Sequence, residues 1–82
     1  MTWRFEIVAG VQDRLLSRIL QVLEVQRVRI HSFSGDLNET GARVTFVVSS
    51  NEDKAYRIEA LLHRLEGVDR VSSSTGFDDT RK

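Results

Sequence analysis

The sequence predicts an α+β fold of order βαββαβ, a four-stranded antiparallel sheet with two helices on one face. Three observations carry this. Residues Leu15 to Leu23 repeat apolar side chains at helical spacing between two strand-like runs, Arg4 to Val8 and Val28 to Phe33. A second strand, helix and strand follow the first set. The connecting segments are rich in turn formers.

Each element has a local reason. Trp3, Phe5 and Ile7 alternate with Arg4 and Glu6, the period of two that buries one face of a strand, and Gly10 ends the run. Asp13 is placed to accept backbone N–H groups at the start of the first helix, where Leu16, Ile19, Leu20 and Leu23 share a face. In the second strand Val28 and Ile30 continue the buried set while Arg29 and His31 point the other way. Phe33 then falls in the polar register, so it either marks a bulge or offers apolar surface to a partner. Ser34 to Gly41 reads as a long polar hairpin loop leading to the third strand, Arg43 to Ser49, whose Val44, Phe46 and Val48 alternate with Thr45.

Ser50-Asn51-Glu52-Asp53 has the pattern of a capping box, and Ile58, Leu61, Leu62 and Leu65 form the second apolar stripe. Gly67 stands as the C-cap of that helix, and Val68 to Ser73 supplies the last strand. Residues 1–75 therefore form one domain, and the charged, apolar-poor residues 76–82 a frayed tail. Right-handed crossovers place the first and third strands at the centre, read here as parallel to each other, and leave the second and fourth as edges. The sheet face away from the helices is expected to carry Arg4, Glu6, Arg29, His31, Phe33 and Thr45.

Composition narrows the function. With 82 residues the core is small, and such domains often complete it by association. Acidic and basic residues balance to a net charge of zero, which disfavours nucleic acid and anionic membranes as partners. Ten arginines against two lysines suit bidentate contacts with carboxylate or phosphate, or reflect a compositional bias. The absence of cysteine excludes a thiol nucleophile or a thiolate metal site. Met1 to Glu6 interleaves charge with aromatics, unlike a signal peptide, and no run is long enough to span a membrane, so a cytoplasmic location is expected.

No spacing supplies a catalytic set, so the chain is expected to be no enzyme by itself and to hold no metal. His63 has Glu59 four residues before it and Glu66 three after, which reads as a salt-bridged solvent face rather than a metal site. Ser72-Ser73-Ser74 lacks a glycine-rich phosphate loop. Acylphosphatases share the element order, which draws attention to Arg14, but the glycine-rich cradle that accompanies their arginine is missing. RNA-recognition domains stack bases on central-strand aromatics, and here Phe46 belongs to the buried register. The N-terminus of the first helix, Val11 to Leu15, offers N–H groups and a positive dipole end to a carboxylate, unless Asp13 caps the helix with its own side chain.

The stretches Leu16-Ser17-Arg18-Ile19-Leu20-Gln21-Val22, Val28-Arg29-Ile30-His31-Ser32-Phe33 and Leu61-Leu62-His63-Arg64-Leu65-Glu66-Gly67-Val68 resemble ACT domains, specifically the small regulatory subunits of acetolactate synthase. The likeness runs from Phe5 to about Ser73. It implies a ferredoxin-like fold and a homodimer joined side by side along the second strand, at Arg29, Ile30, His31, Ser32 and Phe33. It implies a non-catalytic subunit that activates a large catalytic subunit in branched-chain amino-acid biosynthesis. Thiamine diphosphate, FAD and Mg would sit on that partner, and no cofactor on this chain. The alternative is a stand-alone amino-acid sensor of the same fold. An effector would meet Val11, Gln12, Asp13, Arg14, Leu15 and Arg29. Val11, Arg14 and Arg29 stand where effector-binding relatives carry a loop Asn, a Gly and a strand Asn, so valine is expected to bind weakly or not at all.

Overall fold

A computed structural model describes residues 1–11 and 13–75. The elements are β1 (Thr2–Ala9), α1 (Leu15–Gln26), β2 (Arg29–Asn38), β3 (Gly41–Ser49), α2 (Glu52–His63) and β4 (Val68–Thr75). They build the predicted ferredoxin-like βαββαβ sandwich, with sheet order β2-β3-β1-β4 and β1 and β3 at the centre. All three pairings are antiparallel, including β1 with β3, which corrects the expectation of parallel central strands. The reason is topological. The α1 crossover returns β2 parallel to β1 but one strand away, and the hairpin then reverses the chain, so β3 fills the gap against both.

The core lies between the sheet and the helices. Trp3, Phe5, Ile7 and Ala9 of β1 and Ala42, Val44, Phe46 and Val48 of β3 point inward against Leu15, Ile19 and Leu23 of α1 and Ala55, Ile58 and Leu62 of α2. Phe5 and Phe46 stack with ring centroids 5.0 Å apart. The α1 stripe is rotated from the one expected, since Leu15 is buried, Leu16 is half-buried and Leu20 is 36% exposed. Trp3 brings its indole Nε1 into the core without a hydrogen-bond partner and packs edge-on against Tyr56.

Three local expectations are revised. The hairpin loop is short, because β2 continues through Asn38 and only Glu39 and Thr40 turn the chain. Asn38 fixes that turn, its side-chain oxygen accepting hydrogen bonds from Thr40 N at 2.8 Å, Thr40 Oγ1 at 2.7 Å and Gly41 N at 3.1 Å. The α2 cap is Asn51, which accepts from Lys54 N at 2.8 Å, one residue later than a box headed by Ser50. Gly67, at φ 87, lies beyond the C-cap, Arg64, and its carbonyl accepts from Gly10 N at 2.9 Å.

The register of β2 shifts between Ile30 and Ser32. His31 is the extra residue of this bulge, and beyond it the faces exchange, so that Phe33 pairs with Phe46 and turns toward the helices. Of the two expectations for Phe33 the bulge is the one observed, and the placement of its side chain on the outer face is corrected.

Candidate functional site

Two regions gather the residues singled out from the sequence: the β1–α1 connection and the β2 edge. In the first, Gly10 is tied to Gly67 and the chain enters α1 through Arg14, whose φ of 69° and ψ of 15° are left-handed. The cap makes no side-chain hydrogen bond, and no acid lies in the first helical turn. Asp13 is exposed and does not cap α1. The left-handed turn aims Arg14 outward instead, and its carbonyl closes the first helical hydrogen bond with Arg18 N at 3.0 Å.

Val11, Asp13 and Arg14 are exposed around this connection, whereas Leu15 is buried as a core residue. Gln12 lies outside the described residues, as do 76–82. A hollow of about 130 Å³ separates the start of α1 from Leu37 of β2. Arg29 is at the other end of the sheet. It pairs with Ser49, which pairs with Thr2, whereas the connection follows Ala9, whose partner Ala42 pairs with Leu37. At about 3.4 Å per residue the two ends are roughly 24 Å apart, so one chain does not bring Arg14 and Arg29 together.

The β2 edge is ten residues long and has a strand on one side only. Arg29, Ile30, His31 and Ser32 are exposed, while Phe33 is half-buried on Phe46. His31 Nε2 and Ser49 Oγ are 2.6 Å apart, a hydrogen bond whose donor follows the imidazole tautomer. Beside this edge, Ile30 is 37% and Leu37 58% exposed. The turn-forming residues around Leu37 read as a loop in the sequence, which hides its place at this edge.

The outer sheet face is polar, with an exposed ion pair of 3.0 Å between Arg43 and Glu6 that contributes little to stability. His63 Nε2 lies 4.0 Å from Glu59, whose other oxygen accepts from Ser73 Oγ at 2.7 Å, while Glu66 falls past the end of α2. Among the described residues no three metal-ligating side chains cluster, and no helix is long and apolar enough to cross a membrane. A second hollow, between α1 and α2, was not anticipated. Its signal was present in Val22 and Val25, apolar residues off the core stripe of α1.

No family model matches the sequence, and no curated protein matches it. Solved structures do match in fold. The ACT domain from GTP pyrophosphokinase of Chlorobium tepidum superimposes with a TM-score of 0.81 at 16% identity, covering 90% of this chain and 97% of that one. The C-terminal domain of the MgtC protein from Mycobacterium tuberculosis gives 0.73 at 14% identity, covering 92% and 86%. The regulatory subunit of aspartate kinase from Thermus thermophilus, in its ligand-free form, gives 0.67 at 10% identity, covering 89% of this chain and 50% of that one. With its sheet order and helical layer already established, the chain has the fold of ACT domains.

Proposed function

We propose that this chain is a non-catalytic regulatory module that pairs with a second copy along β2 and acts on a partner enzyme. The observation that carries the reading is the unpaired ten-residue edge of β2 with exposed Ile30 and Leu37 beside it. Antiparallel addition of a second β2 would extend the sheet to eight strands and cover both side chains. It would also bring Arg29 of the second copy toward Leu37 and the β1–α1 connection of the first, which is the way the two arginines could share one effector site. The likeness to an ACT domain and to a regulatory subunit supports a role exerted through association.

In its more specific form the partner is the thiamine diphosphate-dependent catalytic subunit of acetolactate synthase in the cytoplasm, which would carry the diphosphate, FAD and Mg. The resemblance of Leu16 to Val22 and of Leu61 to Val68 to the small subunits of that enzyme supports this. The hollow of about 130 Å³ beside Arg14 favours a second reading, an amino-acid sensor acting without that enzyme. Reconstitution separates the two. Addition of the purified chain to the catalytic subunit from the same organism is expected to raise its rate, and an unchanged rate overturns the acetolactate synthase assignment. A thermal shift of the chain alone with a branched-chain amino acid would favour the sensor.

A further inference from the structure

We propose that the groove between α1 and α2 binds an aliphatic monocarboxylate of medium chain length. The groove has a volume of about 470 Å³, and its apolar lining comes from Val22, Val25, Leu61 and Leu65. At 1.5 Å per residue, the stretch of α1 from Arg14 to Val25 is roughly 16 Å long. Val25 is 68% exposed and continues the apolar lining of the half-buried Val22, Leu61 and Leu65 into one patch.

The charge at one end specifies the ligand. Arg14 and Arg18 are one helical turn apart, both line the groove, and neither forms an ion pair among the described residues. Among the described residues no acidic side chain lines the groove. Two guanidiniums at the head of an apolar strip match an anionic head followed by an aliphatic body. A zwitterionic amino acid fits poorly, since its ammonium would meet arginines and no carboxylate. A protein helix is about 10–12 Å across with its side chains and would stand mostly outside a groove of this volume. The volume of the groove falls instead in the range of roughly 300–1,000 Å³ typical of small-molecule sites. Leu16, which packs over Gly35 of β2, lies on the other flank of α1, so pairing along β2 leaves the groove open.

The test is a titration of the isotope-labelled full chain with hexanoate, octanoate and decanoate, each below its micelle-forming concentration, followed by amide chemical shifts. Saturable shifts are expected around Arg14 to Val25 and Leu61 to Leu65, with affinity rising about two- to fourfold per methylene. Norleucine is expected to bind at least tenfold more weakly than hexanoate, which has the same chain length, and decyltrimethylammonium at least tenfold more weakly than decanoate. Arg18→Gln and Val25→Glu alter exposed side chains, and each is expected to weaken decanoate at least threefold while shifts elsewhere stay as in the wild type. Equal binding of the cationic amphiphile, affinity independent of chain length, shifts centred on β2, or unaltered binding by both variants would overturn the proposal.

Discussion

The ring of Phe33 lies on that of Phe46, with centroids 6.0 Å apart and planes 11° from parallel. This contact exists because the bulge at His31 exchanges the faces of β2 after Ile30. Phe33→Ala is expected to destabilise the fold by about 2–4 kcal/mol, toward the lower end because the ring is only half-buried. Urea denaturation checks this. Phe33→Glu should cost more, so loss of dimer in that variant would report unfolding rather than a broken interface.

The cleaner probe of the proposed dimer is Leu37→Lys, at a side chain 58% exposed. Its effect on monomer stability is expected to stay within about 0.5 kcal/mol. Sedimentation equilibrium is expected to give a dimer for the wild type and a monomer for the variant. A wild-type monomer at high concentration would remove the β2 pairing from consideration.

Arg14 holds a left-handed conformation at φ 69° that an L side chain occupies at a cost of roughly 1–2 kcal/mol. Arg14→Gly is expected to stabilise the chain by about 1 kcal/mol and to raise Tm by roughly 4–8 °C. Arg14→Val should lower it. Thermal denaturation monitored by circular dichroism separates these signs.

A Cβ on Gly41 would lie 2.6 Å from the carbonyl oxygen of Ala9 on the neighbouring central strand. Gly41→Ala is expected to cost about 1–3 kcal/mol, because backbone rather than a flexible side-chain tip must move. Hydrogen exchange should speed up first at Ala9 and Ala42, which pair across β1 and β3.

Tyr56 is the single tyrosine of the chain, so its phenolate absorbance can be followed alone. The hydroxyl donates to Glu52 at 2.9 Å, and that hydrogen bond, followed by the charge of the carboxylate, raises its pKa above the ordinary 10.0. A raised folded value means that the contribution to stability is intact below the unfolded pKa and lost as pH rises through the folded one. Glu52→Gln is expected to move the alkaline titration midpoint downward, and an unmoved midpoint contradicts the contact.

The central strands and the existence of both helices were legible in the sequence because period and burial agree there, although the buried stripe of α1 is turned toward Leu15 and away from Leu20. Phe5, Phe46, Ile19 and Ile58 lie where their spacing put them. What the sequence concealed is local geometry that breaks a period. A bulge was one of two readings at Phe33, but its place at His31, which turns Phe33 inward, was not legible, nor was the two-residue turn held by Asn38 within an eight-residue polar segment. At the head of α1, a strained Arg14 takes the place that capping rules assign to Asp13. The groove between the helices needed relative positions, since Val25 and Leu65 are distant in the chain.

Thr75 donates its hydroxyl to the carbonyl of Thr2 at 3.0 Å, so β1 begins beside the end of β4. That proximity makes the fold permutable. A short Gly-Ser bridge from position 75 to position 2, with the chain reopened between Glu39 and Thr40, would keep every strand neighbour while changing which element is made first. Synthesis would then begin with β3 and end with β2, delaying the proposed pairing edge until the rest of the sheet exists. The rearranged chain is a direct way to ask whether early exposure of that edge governs assembly.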